Sequence, residues 1–518
     1  MRKKYVTQCL LTSLLFSFFF SFSAFSQHYN YPLNGYSRYF LEAGDSTSLS
    51  SFQSLPESLY HLDNVWGFRP ELYYTKAGNT LNNDHLLSIE KEDLQVYVDV
   101  LLNFEVGTEI RNSSDYIDTT LLFRNMRGFS VKGNIGEKIS FETSFRETQS
   151  SLPEYLYLYT GVSDVVPGTG RVKPFNGTAF DHNMAQGYVS CAVNSHLNIQ
   201  FGSQKNFIGS GYRSMLLSDN SFAYPQLKIS TSFMKGKIRY HVIHAWLQTL
   251  ERLPRGDTPE SIFKAKGASF KYLEIRPLEM VSIGIFEGFI WDRFNTEKGT
   301  VPFPAYSYIP ILGVNSAIIG LDSEQNGIMG LDLLIRPMKG LRIFGQYALD
   351  GENKDAYQVG FRTTDLLFKG LTIGVEYNEA GTSTYATSST DASYTHYGQP
   401  LAHPMGNGFK EVHAELMYFY ERIFLDARYT MADQSSLKNG NYAGDQLYTA
   451  LSDNGYNLES ISLKQIDLRF GYFFNPKSNF NVYAGWMFRE QMRFDNPQPY
   501  NMFKFGIEMS LINRYEDF

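Results

Sequence analysis

The sequence predicts an all-β fold: a transmembrane antiparallel β-barrel of about 18 strands behind a short irregular N-terminal periplasmic segment. Three observations predict it. Segments of about ten residues alternate apolar and polar side chains, the period of a strand with one face in lipid and the other in water. Tight turns and long polar loops join these segments in turn, the pattern of a barrel with short periplasmic turns and long external loops. Aromatic residues make up 16% of the 518-residue chain, led by 41 Phe and 36 Tyr, while charged residues are only 19%, which suits aromatic girdles at two interfaces.

The C-terminal strand is the clearest. Phe503, Phe505, Ile507, Met509 and Leu511 fall on one face, and Lys504, Gly506, Glu508 and Ser510 on the other. Far upstream, Val96, Val98, Val100, Leu102, Phe104 and Val106 stand against Asp99, Asn103 and Glu105. The same rhythm at both ends of one region implies a closed sheet. Leu371, Ile373, Val375 and Tyr377 oppose Thr372, Gly374, Glu376 and Asn378, and Ile466, Leu468, Phe470 and Tyr472 oppose Asp467, Arg469 and Gly471. After Gln27 there is no run of about eighteen apolar residues, so the mature chain is not expected to cross a membrane as a helix. A barrel pairs its backbone polar groups equally well.

Residues 1–26 read as a cleaved signal peptide: Arg2, Lys3 and Lys4 precede an apolar run from Leu10 to Phe25, and Ala24-Phe25-Ser26 is a small-residue cleavage pattern. These flanks suit export better than a retained anchor, and no Cys stands at the cleavage point of a lipoprotein. Removing the leader takes away three basic and no acidic residues, which moves the formal net charge from −7 to −10 and disfavours a nucleic-acid partner. Cys9 leaves with the leader and Cys191 remains as a single thiol, so no intrachain disulfide is expected.

Residues 27–93 lack regular alternation and read as a periplasmic lead-in, with one short helix over Pro56–Leu62 started by Pro at its first turn. The segment is too short for the plug domain of a TonB-dependent transporter. Residues 94–518 read as the barrel. Ile135-Gly136-Glu137-Lys138, Asn194-Ser195, Lys235-Gly236, Arg276-Pro277-Leu278, Pro337-Met338-Lys339 and Asn475-Pro476-Lys477-Ser478 are tight connections, each after an even-numbered strand. Connections after odd-numbered strands are mostly long, at 149–184, 207–225, 291–325, 380–408 and 433–461, with Asp350-Gly351-Glu352-Asn353 a short exception. With both termini in the periplasm, the long set faces outward.

The inward register carries both signs of charge: Asp99, Glu105, Arg342, Glu376, Asp426, Arg428, Asp467 and Arg469. A packed polar interior is the expectation, with a conducting pore the alternative. His241 and His244 are three apart on a strand and point to opposite faces, so they cannot share a metal; His244 is in phase with Tyr240, Val242 and Trp246 and reads as an interfacial or lipid-facing histidine. Gly168-Thr169-Gly170 and Gly209-Ser210-Gly211 lack the helix and the Lys of a phosphate loop. Ser203, Ser214, His182, His403 and His413 could supply a barrel hydrolase, but no local signature joins them. No catalysis, cofactor or metal is expected.

Aromatic clusters in the long loops are candidates for stacking on sugar faces. Phe303, Tyr306 and Tyr308 sit among Pro302, Pro304 and Pro310, and Tyr385, Tyr394 and Tyr397 in a Ser/Thr-rich loop; the candidate surface sugar-binding residues are Tyr306, Tyr308, Tyr385, Tyr394 and Tyr397. The alternative is that these rings pack the loops on themselves.

Residues Gln204 to Ile229 do not alternate and are too apolar for a solvated loop. A loop carrying Phe207, Ile208, Met215, Leu216 and Leu217 is expected to bury that face by folding into the barrel mouth. The candidate lumen-plugging residues are Phe207, Ile208, Gly209, Gly211, Tyr212, Arg213, Leu216, Leu217, Asp219 and Asn220. The stretch Asn206-Phe-Ile-Gly-Ser-Gly-Tyr-Arg-Ser214 followed by Leu216-Leu-Ser-Asp-Asn220 resembles the signature of the Wzi-like capsule-assembly outer-membrane proteins, and most nearly that of the gliding-motility RemB type of Bacteroidetes. The resemblance covers about twenty residues of the chain and implies a surface barrel that binds or organises extracellular polysaccharide or adhesins, in capsule assembly or gliding motility. The expected partners are thus the outer-membrane lipid bilayer and extracellular polysaccharide or surface adhesins; a selective channel and, less favoured, a barrel hydrolase are the alternatives.

Overall fold

The computed structural model describes residues 28–30, 33, 35–44, 50–54, 56–58, 75–111, 121–253, 262–295, 299–352, 354–387, 389–437, 458–475, 478–493, 496–509 and 513–518. The expected signal peptide lies outside them.

Among the described residues, eighteen antiparallel strands close into one ring. The first nine are β1 Leu94–Arg111, β2 Leu122–Ile135, β3 Ile139–Ser151, β4 Ala179–Asn194, β5 Leu197–Gln204, β6 Tyr224–Phe233, β7 Ile238–Arg252, β8 Phe263–Leu278 and β9 Val281–Asp292. The second nine are β10 Asn326–Met338, β11 Leu341–Leu349, β12 Asp355–Thr364, β13 Leu371–Ala380, β14 Phe409–Tyr420, β15 Ile423–Leu437, β16 Leu458–Asn475, β17 Phe480–Arg493 and β18 Asn496–Met509. β18 pairs back onto β1, with Phe505 opposite Val106 and Ile507 opposite Phe104. The extra strand Leu87–Lys91 pairs with Leu94–Val98 and covers the part of β1 that β18 does not reach, so no long edge is left open there.

Alternation sets the two faces as the sequence requires. Phe104, Phe470 and Phe505 are 52%, 59% and 65% exposed on the outside, while Asn103, Lys504 and Glu508 are buried inside. The connections after even-numbered strands are all short, the longest being the six residues between Thr364 and Leu371. Lys235 and Gly236 turn with φ of 57° and 81°, the left-handed geometry that a tight hairpin needs.

Two features of the lead-in differ from the sequence expectation. Pro56–Ser58 is a short strand paired with His28–Asn30 rather than the start of a helix, because its pairing partner lies outside the local window that propensity reads; residues 59–62 lie outside the described residues. The described part of the segment also does not stay below the barrel. Helix α1, Gly35–Gly44, enters the periplasmic end of the ring, where Tyr36 packs 5.3 Å from Phe424 and 5.6 Å from Phe473. Glu42 on α1 is paired with Arg38 at 2.8 Å, with Arg362 at 2.9 Å, and with Arg342. Burial would raise its carboxyl, yet Arg342, Arg362 and Arg38 together hold it well below the usual carboxylate range.

Candidate functional site

Among the described residues, three segments that meet one another fill the lumen. The first is Phe207–Asn220, on the connection between β5 and β6. Met215, Leu216, Leu217 and Ile208 are fully buried among inward-facing Ile243, Ala245, Phe270, Phe286, Ile328 and Ala348, so the upper lumen holds an apolar core within the packed polar interior expected from the charges. Burying each such side chain contributes about 1.5–3 kcal/mol.

A local reversal shapes this segment. The Ile208 amide donates to the Leu217 carbonyl at 2.8 Å, and Ser214 Oγ donates to the Ile208 carbonyl at 2.5 Å while accepting from the Leu216 and Leu217 amides at 3.1 and 3.2 Å. The segment is then fastened to one arc of wall. Gln346 on β11 accepts from the Met215 amide at 2.8 Å and donates to the Ile208 carbonyl at 2.9 Å. Gln358 on β12 donates to the Arg213 carbonyl at 3.1 Å, and Glu376 on β13 accepts from the Tyr212 and Arg213 amides at 2.7 and 3.0 Å. A Cβ at position 211 would stand 2.5 Å from Glu376 Oε2 and 2.8 Å from Gln358 Nε2, so glycine lets both side chains keep these positions. These bonds leave no buried backbone donor to desolvate without a partner at 212, 213 or 215.

The charged residues of the motif point across the lumen. Arg213 is fully buried, donates to Glu411 on β14 at 2.8 Å and meets Asp517 at 3.0 Å. The Tyr212 ring stacks on His413 at 4.2 Å and its hydroxyl accepts from Arg428 at 3.2 Å. Asp219 accepts from the Tyr515 hydroxyl at 2.7 Å and from Asn513 at 3.2 Å. Asn220 donates to the Pro400 carbonyl at 3.3 Å. Lys205 donates to the carbonyls of Gly168 and Asp219 at 2.9 and 3.0 Å. Burial draws the Lys205 ammonium down to about 8 and pushes the Asp219 carboxyl up against the pull of Lys205 and Tyr515.

The other two segments come from the chain ends. Phe52 bridges to Ile208; the Gln53 amide donates to the Phe207 carbonyl at 2.9 Å and the Gly209 amide to the Ser51 carbonyl at 2.8 Å. Arg38 donates to the carbonyls of Gly211, at 2.6 Å, and Ser210. At the C-terminus, Asn513–Phe518 turns back into the ring beyond β18. Glu516 accepts from Arg124 at 2.6 Å, and Arg489 donates to the Phe518 carbonyl at 2.9 Å. Sequence reasoning missed both partners. The C-terminal signal was present in Asn513-Arg-Tyr-Glu-Asp-Phe518, which breaks the outward apolar rhythm with charge immediately after the last strand.

The candidate sugar-binding tyrosines separate into three groups. Tyr385 and Tyr394 are 1% and 0% exposed and donate their hydroxyls to the Met215 and Leu216 carbonyls at 2.7 and 2.8 Å, so they brace the luminal segment from above and offer no face to a sugar. The reason is tertiary: the 381–408 connection folds down over Phe207–Asn220. Tyr306 and Tyr308 lie against the outer wall, Tyr306 beside Trp291 and Tyr308 tilted on His244 at 5.3 Å. His244 does face outward, as its phase requires, but is covered by this loop. Tyr397 alone is half-buried at the external end, stacked on Phe222 at 5.1 Å and edge-on to Phe263 at 6.0 Å, with Arg252 4.9 Å above the Phe263 ring. Arg171 stands close enough to affect the Tyr397 hydroxyl electrostatically.

The hydrolase side chains do not converge. Ser214 is spent on its own turn, His413 bonds Thr430 at 3.0 Å, and His403 bonds Glu411 at 2.8 Å. Ser150 and His182 lie 3.2 Å apart, yet both are buried and His182 Nδ1 has no hydrogen-bond partner among the described residues. No group of three or more metal-ligating side chains forms among the described residues.

No protein-family model and no curated protein matches the chain. Solved structures do. The chain is similar to Wzi of Escherichia coli, described as an outer-membrane carbohydrate-binding β-barrel involved in group 1 capsule assembly, at 13% identity and a TM-score of 0.50, over 80% of this chain and 85% of that one. It also matches OprD of Pseudomonas aeruginosa at 10% identity and a TM-score of 0.42, over 80% of this chain and 94% of that one. The apolar outer face and the likeness to Wzi together establish the fold and its place: this chain is a β-barrel of the outer membrane with a Wzi-like fold.

Proposed function

We propose that this barrel is a closed surface protein, without enzymatic activity, that holds extracellular polysaccharide at its outward end, in capsule assembly or in the surface machinery of gliding cells. The supporting observation is the ledge at Tyr397. A half-buried ring stacked on Phe222 and edge-on to Phe263 lies beside Arg252, over the Phe263 ring, and Arg171, which pairs with Asp164 at 3.6 Å; a flat apolar face next to guanidinium groups is the chemistry that grips a sugar ring bearing a carboxylate. It lies on the same 381–408 connection that seals the luminal segment, so ligand contact and closure share one element. The gliding assignment rests on the RemB-type wording of residues 206–220, and the polysaccharide assignment also on the fold shared with Wzi. Surface adhesins could reach the same ledge. A porin-like role is disfavoured by three segments bonded to one another across the lumen.

The test is binding of a uronate polymer and of a neutral glucan to the protein in vesicles. Tyr397→Ala with Arg252→Gln should weaken uronate binding about tenfold or more, from about 0.5–1.5 kcal/mol of stacking and about 1.5–3 kcal/mol of charge-assisted bonding. Unchanged binding rejects the ledge as the site.

A further inference from the structure

Residues 301–320 of the connection between β9 and β10 lie against the outer wall. In β7, His241 stacks on Phe52 in the lumen, so the alternate residues Tyr240, Val242, His244 and Trp246 face outward. Lys271 is paired opposite Val242, and Glu287 opposite Lys271, so both charges stand on the lipid side of the wall. Lys271 lies seven residues from Leu278 at the periplasmic turn, about 18 Å up at about 2.5 Å per tilted residue, inside an apolar band about 25 Å tall. An ion pair placed there in contact with acyl chains is costly.

The loop removes that contact. Lys271 Nζ meets Glu287 at 2.8 Å and donates to the Ile311 carbonyl at 3.0 Å, and Glu287 accepts from the amide and hydroxyl of Ser316 at 2.9 Å each; both charged side chains are fully buried. The Tyr240 hydroxyl donates to the Pro310 carbonyl at 2.8 Å. Phe303 sits between Trp246 and Trp291 over Gly267, where a Cβ would stand 2.4 Å from its ring. From Val301 to Gly320 there is no charged residue, and the side turned away from the wall shows Tyr308, Ile309, Ile311 and Ile318, with Ile311 61% exposed. That surface continues the exposed apolar wall of Ile275, Ile283, Leu331 and Leu333.

We infer that residues 301–320 are a lipid-embedded layer of the barrel wall: the Lys271–Glu287 pair anchors the layer from within, and its exposed isoleucines contact acyl chains of the outer leaflet. The inference is independent of the polysaccharide reading. It gives Tyr306 and Tyr308 a membrane role in place of the sugar-stacking one.

The experiment uses the full chain in a Cys9→Ser/Cys191→Ser background, reconstituted in phosphatidylcholine vesicles, with a bimane label at Ile311→Cys or Ile318→Cys. Leu331→Cys serves as the lipid reference and Thr382→Cys as the aqueous one. All four positions carry exposed or half-exposed side chains, and folded barrels are selected by their heat-modifiable gel mobility. Nitroxides on acyl chains should quench positions 311 and 318 to within about twofold of position 331, and aqueous iodide should quench them about fivefold less than position 382. Iodide quenching equal to that at 382 overturns the inference. Protection from both quenchers, with disulfide cross-linking between copies at 311, also overturns it, because a second protein copy then covers the surface instead of lipid.

Discussion

Arg213 is the perturbation that most directly tests how the lumen is held shut. Its guanidinium meets Glu411 at 2.8 Å, with further contacts at 3.3 and 3.4 Å, and Asp517 at 3.0 Å, and neither the Arg213 nor the Glu411 side chain has any exposure. Arg213→Met keeps the volume of the stem and removes the charge, leaving Glu411 with His403 and Asn378 and leaving Asp517 without its cation. Breaking a buried pair by deleting one partner costs about 3–5 kcal/mol, and at about 1.4 kcal/mol per decade this raises the population of the unplugged state by about two to three and a half decades. Conductance in planar bilayers reads the change: openings that are rare in the parent protein should become frequent in the variant. Adding Glu411→Gln removes the orphaned carboxylate and should recover part of the loss, a coupling that simple loss of packing does not produce. Identical opening in parent and Arg213→Met would falsify the claim that this bridge holds the segment, and a double variant worse by the full sum of its parts would refute the electrostatic reasoning behind it.

Other outcomes follow from the same packing. Deleting residues 513–518 removes Asp517 from Arg213, Glu516 from Arg124, and the Tyr515 and Asn513 donors from Asp219 together, and should open the lumen at least as often as Arg213→Met. Tyr385→Phe and Tyr394→Phe each orphan a buried carbonyl of the luminal segment, and each should cost about 1–3 kcal/mol in urea unfolding of the folded barrel. His396, buried near Lys266, is held at about 3 against an ordinary 6.5. Because the unseated loop gains a proton that the seated loop refuses, the stability present above pH 6.5 should be lost between about pH 6.5 and 3, at up to about 1.4 kcal/mol per pH unit. Hydrogen exchange over residues 381–408 should therefore quicken at pH 5 relative to pH 7 once intrinsic rates are corrected, and His396→Gln should flatten the dependence; a flat profile in the parent counts against it.

The ring itself was legible in the chain because lipid and lumen impose a two-residue period on every wall strand: Phe503, Phe505 and Ile507 had to alternate with Lys504, Gly506 and Glu508 whatever their neighbours were. Turn chemistry fixed the sidedness in the same local way, through residues such as Lys235-Gly236. The apolar excess of Phe207–Leu217 likewise announced that this connection needed cover. What covered it was not written locally. Phe52, Tyr385, Tyr394 and Asp517 reach that segment from positions more than a hundred residues away in sequence, and nothing in their own surroundings distinguishes a ring offered to a sugar from one closed over a carbonyl. The Lys271–Glu287 pair makes the point from the other side of the wall. Taken one strand at a time these are charges in a lipid-facing register; only the folded β9–β10 connection supplies the carbonyl and hydroxyl that make their burial tolerable. Periodicity thus determined the barrel, because each residue answers to the solvent beside it, whereas tertiary contact decided what closes it, because desolvated polar groups must find partners wherever the chain brings them.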